Sequence, residues 1–198
     1  MYYVGLDLGQ KRDHSALAIV ERIDHRLAFQ GTAFDRLVVR YVERLPLGTP
    51  YPRVVERVRE VVRSEELAGH CALVVDATGV GAPVVDMLRA ARLGCELNAV
   101  VITGGERGSG NGSVPKRDLM AELLVLLENG QLKIGKLKEG ARLMTELGDI
   151  RITGRARLGA DGVGEHDDLV IALALACWRA KRRQLNGEGT RRLPGISG

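Results

Sequence analysis

Short apolar runs alternate with amphipathic segments along most of the chain. Three runs near the N-terminus, at about 2–8, 15–21 and 27–43, are typical of successive strands, and short connections between them predict antiparallel pairing. Valines at three- and four-residue spacing in 54–69 then predict an amphipathic helix. The continuous apolar run Cys71–Val75 follows and is typical of a buried parallel strand. This alternation predicts an α/β fold.

The second half of the chain continues the alternation. A helix after Gly79 and a strand at about 99–103 precede a glycine-rich loop at 104–113. The remaining predicted elements are a helix opened by Pro115, a short strand at 131–134, a helix at 137–147, a hairpin at about 150–158 and a final apolar helix from Leu169. Together they predict a mixed central sheet of five or more strands, three antiparallel and then parallel ones, with helices on both faces and a small C-terminal hairpin.

Composition limits the organisation of the chain. Its 198 residues, of which 45% are hydrophobic, are enough for one core and one domain, which we expect at 1–180. Residues 181–198 carry five basic residues against one acidic residue and are rich in glycine, so we expect a basic, disordered tail. The body of the chain is therefore formally neutral.

Several features bear on location and on ligands. The three cysteines are far apart in apolar segments, which is typical of buried thiols in a reducing compartment. The longest apolar run, Leu169–Trp178, is only ten residues long, so we expect a cytoplasmic protein with no membrane partner. Aromatic residues make up only 4% of the chain, which leaves few side chains for stacking on bases.

Acidic residues follow or precede apolar elements at three points. Asp7 and Asp76 each end an apolar strand, and Asp167 and Asp168 precede the final apolar helix. Converging carboxylates repel one another unless a cation lies between them. Mg²⁺ takes oxygen ligands and commonly uses one or two carboxylates together with water and phosphate. The pattern therefore predicts a metal site for phosphate chemistry.

Each acidic residue also has a structural interpretation. Asp167 or Asp168 could cap the final helix, since Asp is a preferred N-cap residue and the helix dipole favours negative charge there. Asp76 could shape the turn after its strand. Asp13 follows Asp7 across a predicted turn, and is as well explained as a turn residue as by a role as an additional metal ligand.

Four segments together carry a resemblance to a known family. Residues 4–9 and 75–81 surround the first two acidic positions, 116–132 cover the predicted late helix and strand, and 165–174 surround the last acidic pair. In this order they resemble the nuclease domain of phage large terminase subunits, which has an RNase H-like fold related to that of RuvC. The resemblance covers about residues 1–180.

The resemblance implies a metal-dependent endonuclease that cuts double-stranded viral DNA, with little sequence specificity, during genome packaging. It implies two Mg²⁺ or Mn²⁺ ions, with Asp7 bridging both ions, Asp76 on one, and Asp167 or Asp168 on the other. Its implied partners are a packaging ATPase, a small terminase subunit and a portal in a bacterial host cell. The phosphate-binding loop of such an ATPase is absent from this sequence, so either the motor is a separate chain or domain, or the protein is a stand-alone relative with another use, such as prophage-borne DNA processing or junction cleavage.

Basic residues near these motifs are candidates for DNA contact. Arg151, Arg155 and Arg157 lie on the predicted hairpin and would present a compact surface for phosphates. Lys116 would begin a helix near the acidic residues, where it could contact the scissile phosphate. His166 could orient a water molecule or a carboxylate. Each of these side chains is also explained as a solvated surface residue.

Two other functions share the acidic pattern. A RuvC-like resolvase of Holliday junctions would need a dimer to cut two strands symmetrically. A non-catalytic DNA-binding or assembly module could keep the same fold, although the presence of all the expected acidic residues argues against this. An actin-like ATPase also begins with an acidic strand, but it needs a second lobe that a chain of 198 residues cannot supply.

Overall fold

The computed structural model describes residues 1–9, 13–23, 36–79, 81–104, 112–150 and 167–187. Within these ranges the strands are β1 (Tyr2–Asp7), β2 (Ala16–Ile23), β3 (Arg36–Arg44), β4 (Cys71–Asp76), β5 (Glu96–Thr103), β6 (Ser113–Pro115) and β7 (Leu132–Ile134). The helices are α1 (Tyr51–Val62), α2 (Gly81–Ala90), α3 (Lys116–Glu128), α4 (Gly140–Asp149) and α5 (Asp168–Gly187).

The seven described strands form one sheet in the order β6-β5-β4-β1-β2-β3-β7. β2 pairs antiparallel with β1 and with β3, whereas the other neighbouring strands are parallel. Every described strand except β2 therefore ends at the same edge of the sheet, which we call the C-terminal edge. β1 lies at the centre. The predicted mixed sheet, antiparallel at first and then parallel, is confirmed.

Helices cover both faces of the sheet, as predicted. On one face, α3, α4 and α5 bury apolar side chains against β1, β2 and β3, with Leu119, Leu143 and Leu173 fully buried. On the other face, α1 and α2 pack their valines and leucines against β1 and β4. The spacing of the buried valines in α1 explains this placement, because they form one apolar stripe along the helix.

The final helix approaches the central strand closely at Gly5. A β carbon on Gly5 would overlap the carbonyl oxygen of Ala172, and its distance to the Ala176 nitrogen would be 3.0 Å. The small side chains of α5 contribute to this close packing, since Ala172, Ala174 and Ala176 are all buried. The start of α5 is thereby held against β1, near the C-terminal edge.

Some elements differ from their predicted bounds. α1 begins at Tyr51 and ends at Val62, where the chain turns through hydrogen-bonded residues instead of continuing to 69. β5 is longer than predicted, and β6 was not predicted, because a three-residue strand ending in proline gives no apolar alternation.

The C-terminal part of the prediction is only partly described. α5 continues to Gly187, seven residues into the predicted tail, and 188–198 lie outside the described residues. The hairpin predicted at 150–158 also lies outside them, except for Ile150. In the described ranges, every helix is too short or too polar to cross a lipid bilayer.

Candidate active site

Asp7 and Asp76 lie side by side at the C-terminal edge of the sheet. They are the last residues of the neighbouring parallel strands β1 and β4, and the register pairs Leu6 with Val75 directly before them. Because parallel strands run about 4.8 Å apart, the two carboxylates project into one region. The fold therefore brings Asp7 and Asp76 close together.

Asp7 is surrounded by other carboxylates. Its pKa lies well above the usual range, first because burial disfavours the charged form. Repulsion from Asp76, Asp168 and Asp167, in that order, raises this pKa further. Lys116 lowers it. The other three predicted acidic residues are therefore all within electrostatic reach of Asp7.

Asp76 has a structural role as well as a place in this group. Its Oδ1 accepts a hydrogen bond of 2.8 Å from the backbone N–H of Thr78, which shapes the turn after β4. Thr78 in turn accepts a 2.7 Å hydrogen bond from the backbone N–H of Ile102 in β5. Burial raises the pKa of Asp76, whereas the hydrogen bonds from Thr78 and the charge of Lys116 lower it.

Lys116 is the positive charge shared by these carboxylates. It begins α3, and its Nζ donates a 2.7 Å hydrogen bond to Oδ2 of Asp167. Both side chains keep about a fifth of their surface exposed. Lys116 therefore lies beside the acidic residues, and its contact in this structure is a carboxylate; its contact with DNA stays a prediction.

Asp168 is held by the guanidinium of Arg44. Both Nη2 and Nε of Arg44 donate to its Oδ2, at 3.0 and 3.2 Å. The side chains of Arg44 and Asp168 are only 10% and 7% exposed. Both guanidinium contacts use one oxygen of Asp168, so the ion pair fixes the carboxylate through that atom alone.

Glu146 joins this ion pair from α4. Its Oε1 lies 3.6 Å from Nη2 of Arg44, and its Oε2 accepts a 3.0 Å hydrogen bond from the backbone N–H of Leu169. Glu146 thus caps an N–H group at the start of α5. Burial raises the pKa of Glu146 to about 7, against the lowering effect of Arg44.

The sequence analysis missed Arg44 and Glu146. A signal for Glu146 was present, because it lies three residues after the buried Leu143 on the apolar face of α4. An acidic residue at such a position needs a buried partner. Arg44 gives no comparable signal, because it is 124 residues away from Asp168 along the chain.

Asp13 lies in the connection between β1 and β2, with its backbone close to Gly9. It is exposed and lines a cavity with Gly9, Ser15 and Thr49. The neighbouring His14 contacts the carbonyl oxygen of Leu45 through Nδ1 at 2.8 Å. A carbonyl can only accept, so Nδ1 carries the proton. The charge of His14 is also among the influences that lower the pKa of Asp168, against the raising effect of burial.

Four predicted residues lie outside the described part of the chain: Arg151, Arg155, Arg157 and His166. Among the described residues, no three His, Cys, Asp or Glu side chains meet closely enough to form a ready-made metal cluster. The arrangement that is described is a group of carboxylates balanced in part by Lys116 and Arg44, at the edge where six strands end.

No protein-family model and no curated protein sequence matches the chain. Solved structures do. A large terminase nuclease from the thermophilic phage G20c, with bound magnesium, has a TM-score of 0.59 and 24% identity over 90% of this chain and 81% of its own. The human cytomegalovirus terminase nuclease domain gives a TM-score of 0.55 and 14% identity, covering 89% of this chain and 82% of its own.

A third similar structure is the large terminase nuclease domain of bacteriophage SPP1 with bound Mn, with a TM-score of 0.54 and 14% identity over 90% of this chain and 86% of its own. These similarities show that the chain has the RNase H-like fold of terminase nuclease domains. The predicted fold is confirmed.

Proposed function

We propose that this protein is a metal-dependent endonuclease that hydrolyses phosphodiester bonds of double-stranded DNA. The observation that carries the proposal is the convergence of Asp76, Asp167 and Asp168 on Asp7 at the C-terminal edge, where burial, and then repulsion from these three carboxylates, raises the pKa of Asp7. Packing does not require such a group, and a cation would relieve its repulsion. The similar structures are nucleases, two of them with bound magnesium or Mn.

The available oxygen atoms suit Mg²⁺ or Mn²⁺. Asp7 and Asp76 would hold ions from neighbouring strands, and Asp167 and Asp168 would hold them from the start of α5. Two such ions supply the activation of water and the stabilisation of charge on the phosphate. Arg44 would keep Asp168 in position through Oδ2, which leaves the other carboxylate oxygen clear of the guanidinium.

Lys116 would have two roles. In the arrangement described, its ammonium donates to Asp167 and lowers the pKa of both Asp7 and Asp76. It therefore balances part of the negative charge. When DNA is bound, the same ammonium would lie close enough to the acidic group to contact a phosphate oxygen of the strand being cut.

We expect DNA to be held by its backbone. The few aromatic side chains favour contacts to phosphates over stacking on bases, so sequence specificity would be low and salt dependence strong. Arg151, Arg155 and Arg157 stay predicted contacts. Asp13 and His166 stay predicted supporting residues. By likeness to the terminases, the setting we propose is genome packaging, with an ATPase, a small terminase subunit and a portal as partners.

Cleavage of supercoiled plasmid tests the proposal. The purified protein is incubated with plasmid and Mg²⁺, Mn²⁺ or a chelator, beside Asp76→Asn and the control Asp86→Asn. Asn at position 76 keeps the oxygen that accepts from Thr78, so the turn survives while the charge is lost. Asp86 is exposed on α2 and pairs with Arg89 on its own helix, so its replacement removes the same charge away from the site.

The proposal predicts nicking and linearisation with either metal, loss of cleavage by more than about 100-fold in Asp76→Asn, and normal cleavage in Asp86→Asn. Cleavage that persists in the chelator, or in Asp76→Asn at the normal rate, would refute the metal assignment. A four-way DNA junction is the second substrate, and preference for it over plasmid would instead identify a resolvase.

A further inference from the structure

Two of the three cysteines are lateral neighbours at the edge of the sheet opposite the acidic group. Cys71 is the first residue of β4, and Cys95 directly precedes β5. The register pairs Ala72 with Glu96, which places the two cysteines beside each other one position earlier. Neighbouring strands are about 4.8 Å apart, within the range of about 4.4–6.8 Å between α carbons that a disulfide requires.

The two thiols interact with each other but differ in exposure. Cys71 is 5% exposed and lies against α1, with its Sγ 3.8 Å from the carbonyl oxygen of Val62. Cys95 is half-buried and follows a turn in which Gly94 has a positive φ. A hydrogen bond between the thiols lowers the pKa of Cys95 and raises that of Cys71. The more accessible thiol is thus also the one more readily ionised, as an attacking thiolate must be.

Cys177 provides an internal contrast. It is buried within α5, and burial raises the pKa of its thiol. It belongs to the hydrophobic cluster on the α5 face of the sheet, whereas Cys71 and Cys95 belong to the cluster on the other face. Cys177 therefore has the properties of an unreactive core thiol.

We propose that Cys71 and Cys95 form a reversible disulfide when the protein meets a low-molecular-weight disulfide such as oxidised glutathione. The thiolate of Cys95 attacks one sulfur of the oxidant, whose S–S bond breaks and releases one thiol. The thiol of Cys71 then loses its proton and attacks the Cys95 sulfur of the mixed disulfide, which releases the second thiol. The protein loses two protons and two electrons, and the oxidant becomes two thiols.

The cross-link would join the first residue of β4 to the residue before β5 and close the loop that contains α2. Closing this loop restricts the unfolded chain, so the oxidised protein should unfold at a temperature several degrees higher. Cys71 lies five residues from Asp76 along β4, about 16 Å away. DNA cleavage is therefore expected to be unchanged by oxidation, and the proposal stands or fails independently of the proposed function.

Titration with oxidised glutathione tests the pair. The native full-length protein is treated and its free thiols are alkylated. It is then digested without reduction and analysed by mass spectrometry, beside Cys95→Ser and Cys177→Ala. We expect a Cys71–Cys95 linked peptide in the wild type and in Cys177→Ala, none in Cys95→Ser, and complete reversal by dithiothreitol. Thermal unfolding should show the rise in Tm only in the proteins that form the link.

Three outcomes would overturn the proposal. One is a glutathione adduct on Cys95 that persists without internal exchange. Another is a link that includes Cys177. The third is full alkylation of Cys95 after oxidant treatment, to the same extent as in the untreated protein. Cys95→Ser changes a half-buried position, so it should fold normally, and its Tm without oxidant verifies this.

Discussion

Two groups of charged side chains meet at the C-terminal edge of the sheet, and their charges are balanced differently. Around Arg44, the carboxylates of Asp168 and Glu146 are buried and share one guanidinium, and Glu146 also caps α5. Around Asp7, the neighbouring Asp76 adds a second negative charge. Lys116, the positive charge near Asp7, donates its hydrogen bond to Asp167 and not to Asp7.

The difference separates the Arg44 group, which stabilises the fold and positions Asp168, from the Asp7 group, which we propose binds a cation. Buried charges persist in proteins when they are paired, and the Arg44 group follows this rule. The Asp7 group keeps an excess of negative charge, which destabilises the folded protein and stabilises a bound cation. Pairing of charges favours the stability of the fold, whereas an excess of negative charge favours cation binding. The two groups of side chains that differ in this way meet at the start of α5.

Replacing Asp7 should have the largest effect on activity and the opposite effect on stability. Asp7→Asn removes a central carboxylate, so cleavage should fall by more than about 100-fold, since even partners of metal ligands commonly contribute 10–100-fold. Without metal at pH 8, the same change removes repulsion with Asp76 and Asp168 and should raise the Tm. A plasmid assay measures cleavage and calorimetry measures the Tm on the same preparation. A lower Tm together with normal cleavage would contradict a cation site at Asp7.

Replacing Arg44 should have the largest effect on stability. Arg44→Ala leaves Asp168 and Glu146 buried without their cation, which should cost about 3–5 kcal/mol of the free energy of unfolding. Arg53→Ala is the matched control, because Arg53 pairs with Glu56 on the surface of α1, where such pairs contribute less than about 1 kcal/mol. Urea denaturation compares the two variants, and equal losses would show that the buried group does not hold the fold.

Glu146 should make stability depend on pH. Its pKa rises from the ordinary 4.5 to about 7 in the folded protein, so the folded state keeps a proton that the unfolded chain has lost. The stabilisation from this proton is complete below pH 4.5 and lost as the pH rises through 7. A shift of this size corresponds to about 3 kcal/mol.

The variant Glu146→Gln should remove much of this dependence. Urea denaturation at pH 5 and at pH 8 is the measurement, and the wild type should lose more stability between these values than the variant. The other raised carboxyl pKa values, those of Asp7, Asp76 and Asp168, act in the same direction and remain in both proteins. Equal losses in the two proteins would contradict the assignment to Glu146.

Gly5 should show how far the position of α5 depends on close packing. A β carbon there meets the backbone of α5, so Gly5→Ala must displace the helix and should cost about 1–3 kcal/mol. Gly148→Ala is the control, because no atom of the described residues lies within 4 Å of a β carbon at that position of α4. Alanine favours a helix over glycine, so the control should be neutral or slightly more stable. A neutral Gly5→Ala would contradict the close approach.

Local patterns were sufficient to predict the sheet and the acidic positions. Apolar runs that end in Asp7 and Asp76 are visible in the sequence, and parallel strands bring their ends to one edge. The ion pairs of Arg44 could not be predicted in this way, because they join distant parts of the chain through tertiary packing, although the apolar face of α4 gave a signal for Glu146. The metal roles of the acidic residues stay predictions.

The measurement that tests the central claim most directly is the change in Tm on adding Mn²⁺ at pH 8, in the wild type and in Asp7→Asn. Our account predicts that Mn²⁺ raises the Tm of the wild type in proportion to the logarithm of its concentration once the site is nearly filled. It predicts a much smaller rise in Asp7→Asn, starting from a higher Tm without metal. No rise in the wild type, or an equal rise in both proteins, would contradict a cation site at Asp7.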